Sequence, residues 1–551
     1  MRKQKHCMQE RKTRMAHSGA VAGQADLRTN MTVRDAVIDL LRGFGIRSVF
    51  ANPGSTELPL FRNFPEDFRY VLGLQEATVV GMADGFAQAT RNASFVNLHS
   101  AAGVGNAMGN IFTAYKNRTP IILTAGQQAR SILPFDPFLA SPQATELPKP
   151  YVKWSIEPAR AEDVPQAIAR AYYIAMMPPR GPVMVSVPVD DWDRPAQLVV
   201  PRLVGTEIRP QPSILEAIGA ALDASERPAI IVGGAVDRDN AWEQAIALAE
   251  RHNARVWAAP MSGRCSFPED HRLFAGFLPA MRERIVSLLE GHDVLFALGA
   301  PLFTYHVEGA GPHVPEGASV FQIIDDPDTA SWAPVGTAAL GSVRLGLEDL
   351  LARPMRPSRP APPVREPAPR AEPSLPMSAA FVLQTLAEVR DPEDIVVEEA
   401  PSTRPVMHRY LPMTRSETFY TMDSGGLGYG MPAAVGVALA KPSARVIGLI
   451  GDGSSLYSIQ ALWTAAQLNL PITFVILNNR RYAALQDFAP VFGFTPEEEV
   501  QGTDLPDLDF MALAAGMGCR ARRVTEPGQL REALAEALAS GTPNLVEIRI
   551  A

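Results

Sequence analysis

Cysteine is almost missing from this chain: Cys7, Cys265 and Cys519 are the only three in 551 residues, far apart and without ligand spacing. That excludes a disulfide framework and a cysteine zinc site, and points to a reducing, cytoplasmic compartment. Long apolar runs are lacking too. No stretch of about 18 apolar residues occurs, and the first 30 lack the apolar segment of a secretory signal, so neither a membrane span nor export is expected. Basic excess is also absent. A formal charge of −8, with acidic and basic residues interspersed, leaves no electrostatic footprint for nucleic acid, and a small-molecule substrate is the expectation. What is present is ordinary globular composition, 46% hydrophobic and 20% charged, in a chain long enough for three domains.

Residues 1–30 are basic and without apolar periodicity. They read as a disordered extension or an upstream start, with a transit peptide as the alternative. Regular patterning begins at Met31, where Thr32 and Asp35 have capping-box spacing. Over 31–195, short apolar runs (SVFAN, RYVLGL, SFVNLHS, PIILTAG, PVMVSVP) alternate with helical patterns, as a parallel α/β sheet requires. A second α/β unit spans 205–350 with PAIIVGG, RVWAAP, DVLFALGA and SVFQIID, and a third spans 378–551 with DIVVEE, RVIGLIGDG, ITFVILNN and NLVEIRI. Between them, residues 354–376 hold nine prolines and almost nothing apolar, a composition for an extended, stiff linker. The fold class is α/β, with three doubly wound parallel-sheet domains.

The segment from Gly451 to Asn479 carries the sharpest chemistry. An apolar strand ends at Gly451-Asp452-Gly453, a helix is expected next, and a second strand ends at Asn478-Asn479. In a right-handed βαβ unit both strands release their ends at one sheet edge, so Asp452 and Asn479 can share a cation. A carboxylate and an amide carbonyl are hard ligands suited to magnesium, with calcium as the alternative, and magnesium completes its shell with phosphate oxygens and water. Gly453 admits phosphate close to the backbone, and Ser454 follows it. A lone GDG could equally be a bare tight turn; the whole strand-helix-strand-NN segment is the signature of thiamine-diphosphate enzymes.

With that motif in place, residues 31–551 resemble the pyruvate-decarboxylase-like superfamily of thiamine-diphosphate enzymes, and within it the benzoylformate decarboxylases. The resemblance runs through NPGSTELP, LQEATVVGMADGFAQAT, VNLHSAAGVGNAMGN, LTAGQQAR, APLFTYH, SGGLGYGMPAAVGVALA and GDGSSLYSIQALWTAAQLN. It implies pyrimidine-binding, central and diphosphate-binding domains. It assigns Glu76 as the carboxylate that hydrogen-bonds the cofactor's aminopyrimidine, Ser55 as the contact to the substrate carboxylate, and His99 and His306 as proton-shuttling histidines. Leu427 becomes the wedge under the cofactor, with Gly425 and Gly426 giving it close backbone. Ser402, Thr403, Tyr457 and Tyr482 join the cofactor contacts, and the Arg481 backbone carbonyl becomes a third metal ligand. For Tyr457, simple packing is the equal alternative.

The chain also departs from the pattern. Pro401 stands where the family offers a hydroxyl to the phosphates. Arg480-Arg481 replaces a small or polar pair, and those side chains either add diphosphate affinity or face solvent. Thr421 and Met422 occupy positions of a phenylalanine and a cysteine, and Phe138 that of a leucine; Leu139, Ala484, Leu485 and Phe488 keep an apolar, ring-sized pocket. The resemblance thus implies nonoxidative decarboxylation of an aromatic 2-keto acid by a homo-oligomer, a dimer at least and by expectation a tetramer. A carboligase like acetolactate synthase is the alternative, and a flavin-dependent oxidase is further off, since IIVGGAV is a weak nucleotide signal and FAD is not expected.

Overall fold

The apolar runs are buried on both faces, the environment of strands covered by helices on either side. In the computed structural model, which describes residues 31–301, 303–354 and 359–551, they assemble into three six-stranded sheets in which every pairing is parallel. The basic segment 1–30, with Cys7, lies outside the described residues. Thr32 caps the helix Val33–Gly43 in the expected capping box, its hydroxyl accepting the Asp35 N–H at 3.2 Å.

In the first domain the strands Ser48–Asn52, Arg69–Leu72, Ser94–Leu98, Ile121–Gln127, Ser155–Ile156 and Val183–Pro188, numbered in chain order, lie in the spatial order 2-1-3-4-6-5. The last domain repeats that order with Ile395–Glu399, Phe419–Tyr420, Val446–Gly451, Ile472–Asn478, Arg520–Val524 and Asn544–Arg549. Such an order reverses direction between strands 1 and 3, and ligands of open α/β sheets bind beyond the strand ends at that point. The central domain differs. Its strands Pro228–Val232, Arg255–Ala258, Phe274–Phe277, Val294–Leu298, Ser319–Ile324 and Thr337–Leu340 are ordered 3-2-1-4-5-6, the order of dinucleotide-binding folds. Its glycine pair is occupied by packing: a Cβ on Gly233 would lie 2.4 Å from the Ala300 methyl.

First and last domains share one apolar core. At its centre helix Glu76–Thr90 lies against helix Gly430–Ala440, backbone to backbone: a Cβ on Gly85 would sit 2.3 Å from the Ala433 carbonyl oxygen, and one on Gly436 1.9 Å from that of Met82. Both helices begin beside the expected cofactor loops, so their packing fixes one loop relative to the other.

Asp84 is buried in this seam and accepts hydrogen bonds from Gln88 (2.5 Å), Asn117 (3.2 Å) and Thr119 (3.2 Å). Burial pushes its carboxyl from 3.8 up to about 7. Folding therefore favours the protonated form, so the stability it contributes is complete below about pH 4 and is lost as the pH rises through about 7. Asp84→Asn is expected to flatten the decline of the urea midpoint across that window, by up to about 1.4 kcal/mol per pH unit. An unchanged profile would mean that Asp84 is ionised throughout.

Candidate active site

Strands 1 and 3 of the first sheet end at Asn52 and Leu98, which delivers the Gly54–Glu57 turn and His99 to the switch point. Ser55 is exposed there. His99 opens helix Ser100–Lys116, and Ser100 follows with φ +41, in the left-handed region where a side chain is strained. His99 Nδ1 lies 2.8 Å from a carboxylate oxygen of Glu57, a residue the motif reading passed over. Glu76 is the first residue of its helix, beyond the preceding strand, which stops at Leu72. Gln75 makes the break by capping the helix, accepting the Thr78 N–H at 3.1 Å.

Helix Ser100–Lys116 ties these parts together with a polar stripe. Asn106 donates to Glu76 Oε2 (3.1 Å); Asn110 donates to the carbonyls of Ala77 (2.7 Å) and Gly428 (3.1 Å); Thr113 and Ser424 hydroxyls are 2.9 Å apart; and at the helix end Asn117 Oδ1 accepts the Asp423 N–H (2.9 Å). Positions 106, 110, 113 and 117 share one helix face. That face holds Glu76 on one side and the loop carrying Gly425 and Leu427 on the other. Buried Glu399 holds the same loop from below, accepting the Gly428 N–H at 2.7 Å and that of Gly430. Burial pushes this carboxyl up to about 7, so it titrates in the window of Asp84.

In the last sheet the switch point lies between the ends of Ile395–Glu399 and Val446–Gly451, which release Ser402, Thr403 and Asp452. The single expected helix is split into Asp452–Ser455 and Ala461–Gln467. Asp452 is 3% exposed, accepts the N–H groups of Gly453 (2.8 Å) and Arg480 (2.6 Å), and makes no ion pair among the described residues. Burial raises its carboxyl above the usual range. A buried carboxylate without a countercharge is the environment a divalent cation relieves. Asn479 Oδ1 accepts the Arg481 N–H at 3.2 Å, in the same turn whose Arg480 N–H reaches Asp452. Ser402 accepts the Ala484 N–H at 3.0 Å and keeps its own proton to donate. A Cβ on Gly453 would strike the Tyr482 ring at 2.2 Å, and Gly425, at φ +73, faces open space. The residues fit a metal-diphosphate group. Arg480 and Arg481 are exposed, Arg480 at φ +62.

The pocket positions are distributed unevenly. His306, from the central domain, stacks on Phe488 at 4.6 Å between ring centroids. Phe138 is 85% exposed, and Leu485 and Tyr457 are also exposed. Met422 is buried, and the Thr421 hydroxyl is held in a network with Glu398 and Arg404. Among the described residues no hydrogen bond or ion pair joins the Ser55, Glu57 and His99 group to Asp452 and Asn479.

Comparison with known proteins completes this geometry. Residues 31–145 match the N-terminal TPP binding domain of thiamine pyrophosphate enzymes, 215–350 the central domain, and 402–548 the C-terminal TPP binding domain. The chain belongs to the thiamine pyrophosphate enzymes. It is 44% identical over 525 residues to the benzoylformate decarboxylase of Pseudomonas aeruginosa, covering 94% of this chain and 98% of that protein. Among solved structures, a benzoylformate decarboxylase from Polynucleobacter necessarius superposes with TM-score 0.92 at 41% identity, over 94% of this chain and 98% of the other. The Rhodococcus jostii RHA1 thiamine diphosphate-dependent 4-hydroxybenzoylformate decarboxylase does so with TM-score 0.91 at 39% identity, over 94% and 99%. An Escherichia coli acetolactate synthase large subunit is 27% identical over 92% of both chains. Thiamine diphosphate, the same compound as thiamine pyrophosphate, is thus the cofactor of this family. No described helix is long and apolar enough to cross a membrane.

Proposed function

We propose that this chain is a magnesium- and thiamine-diphosphate-dependent lyase that decarboxylates an aromatic 2-keto acid, benzoylformate or a ring-substituted relative, to the aldehyde and carbon dioxide. The observation that carries the reading is the pair of matching switch points, one bearing Ser55 and His99 with Glu76 following the neighbouring strand, the other bearing Asp452, without an ion pair among the described residues, with Asn479 ending the neighbouring strand, on a chain 44% identical to a benzoylformate decarboxylase. Asp452, Asn479 and the Arg481 carbonyl would hold the metal. Ser402, Thr403, Gly451, Gly453, Ser454, Tyr457 and Tyr482 would hold the diphosphate end, and Gly425 and Leu427 the rings. When bound, the cofactor supplies the electron sink that lets the bond to the carboxylate break.

The chain's own residues do the rest. Ser55 holds the substrate carboxylate, while His99 and His306 give and take protons at the keto oxygen and carbon, a task suited to imidazole near neutral pH. Phe138, Leu139, Thr421, Met422, Ala484, Leu485 and Phe488 enclose the ring. Exposed apolar side chains flank both edges, Leu74 and Phe135 on one domain, Leu485 and Phe492 on the other. A second copy of the chain would cover them, making a homodimer the smallest working unit and a tetramer the assembled one. The compartment proposed is the cytoplasm.

Purified protein supplied with thiamine diphosphate, magnesium and benzoylformate is expected to release benzaldehyde and carbon dioxide in equal amounts, and to lose turnover when chelated. Acetolactate from pyruvate without benzaldehyde, or no turnover on any aryl 2-keto acid, would overturn the proposal.

A further inference from the structure

We infer that Glu57 is a positioning residue that fixes the tautomer and ring orientation of His99 and acts on the reaction through that histidine alone; this rests on the reading of His99 as a proton-handling group. Glu57 is 1% exposed. Its Oε2 accepts the Gly54 N–H at 2.8 Å and lies 2.8 Å from His99 Nδ1, and its Oε1 accepts the Gly126 N–H at 2.9 Å and the Thr56 hydroxyl at 2.7 Å. Both Glu57 oxygens already act as acceptors, in three hydrogen bonds, so at the fourth contact His99 Nδ1 is the donor and carries the proton. The lone pair is then left on Nε2, which has no hydrogen bond among the described residues. Thr56, 3.3 Å from the same Nδ1, has already given its proton to Glu57 and does not compete.

Two features show that the pair is built rather than incidental. The carboxylate is anchored by backbone from two separate strand ends, the Gly54 turn and Gly126, so it is fixed independently of the histidine. Both anchors must be glycine: a Cβ on Gly54 would lie 2.1 Å from His99 Nδ1, and one on Gly126 2.0 Å from Glu57 Oε1. The backbone thus comes close to both members of the pair. Among the described residues, no Lys or Arg forms an ion pair with Glu57, so His99 is its one cationic partner on protonation. This is the arrangement in which a carboxylate orients an imidazole without entering the chemistry itself.

The test uses the holoenzyme with Glu57→Gln, Glu57→Asp, His99→Ala and the double variant His99→Ala/Glu57→Gln. Glu57→Gln is expected to lower kcat about 100-fold with KM within about threefold. Nitrogen-15 spectra of histidine-labelled protein should show His99 as the Nδ1–H tautomer in the wild type and in Glu57→Asp, and a mixture in Glu57→Gln. In the His99→Ala background the Glu57→Gln change should alter kcat less than about twofold, because both act as one unit. Full turnover with an unchanged tautomer in Glu57→Gln, or losses that multiply in the double variant, would overturn the inference. Full turnover in His99→Ala would overturn the reading of His99 instead, and the tautomer spectra would still decide the role of Glu57.

Discussion

Glu76→Gln is expected to lower kcat roughly a thousandfold while weakening cofactor affinity less than about tenfold. Glutamine can still hydrogen-bond a ring nitrogen, so the cofactor should stay in place; what it cannot do is take and return a proton. The geometry isolates that function. Asn106 donates to Oε2 at 3.1 Å, and Oε1 carries no hydrogen bond among the described residues, so one oxygen is held and the other is available. Hydrogen–deuterium exchange at the reactive carbon of bound thiamine diphosphate, followed by proton NMR, gives a readout independent of turnover, and it should slow by the same factor as kcat. Exchange at the wild-type rate, or a kcat within about tenfold of wild type, would remove Glu76 from the proposed role.

Asp452→Asn should have opposite consequences with and without cofactor. In the free protein the carboxylate is buried with no ion pair among the described residues, and burial already drives its proton affinity up, so replacing it with an amide should leave the thermal midpoint unchanged or raise it. In the presence of magnesium and thiamine diphosphate the order reverses. Ligand at about 100 times its dissociation constant stabilises the wild type by about 2.7 kcal/mol, and a variant whose cofactor is held roughly 100-fold more weakly should lose nearly all of that rise. Melting curves with and without the pair of ligands read both effects. A variant that keeps the wild-type rise would show that the metal is held elsewhere.

Both residues were visible in the sequence, but for different reasons. The Asp452–Asn479 unit is local: glycine beside a strand end, a carboxylate, one crossover, and the hydrogen bond from Arg480 to Asp452 spans only 28 residues. Glu76 is found through its flanks, whereas its place at a helix start depends on Gln75, an unremarkable residue in the sequence, which makes the cap. Glu57 was illegible because the groups that give it meaning, His99 and Gly126, lie 42 and 69 residues away. The stripe on helix Ser100–Lys116 meets partners more than 300 residues on, and nothing in an Asn or Thr announces that. The central strands of each sheet were legible because burial on both faces demands continuous apolar runs. Edge strands such as Arg520–Val524 and Phe419–Tyr420 were not, being polar or two residues long.

The stripe on helix Ser100–Lys116 has an engineering consequence. One rod mounts His99 at its tip and grips Glu76 and the Leu427 loop along its side, whereas the walls proposed for the substrate ring come from other segments, near 138, 421 and 484–488. On the proposed reading, substrate range and the His99–Glu76 proton chemistry are thus carried on separate parts, while His306 touches the wall at Phe488. Exchanging wall residues other than Phe488 is expected to admit larger or differently substituted rings without retuning the chemistry, while a single-residue insertion in the rod would rotate its grips by about 100° and disable every substrate alike.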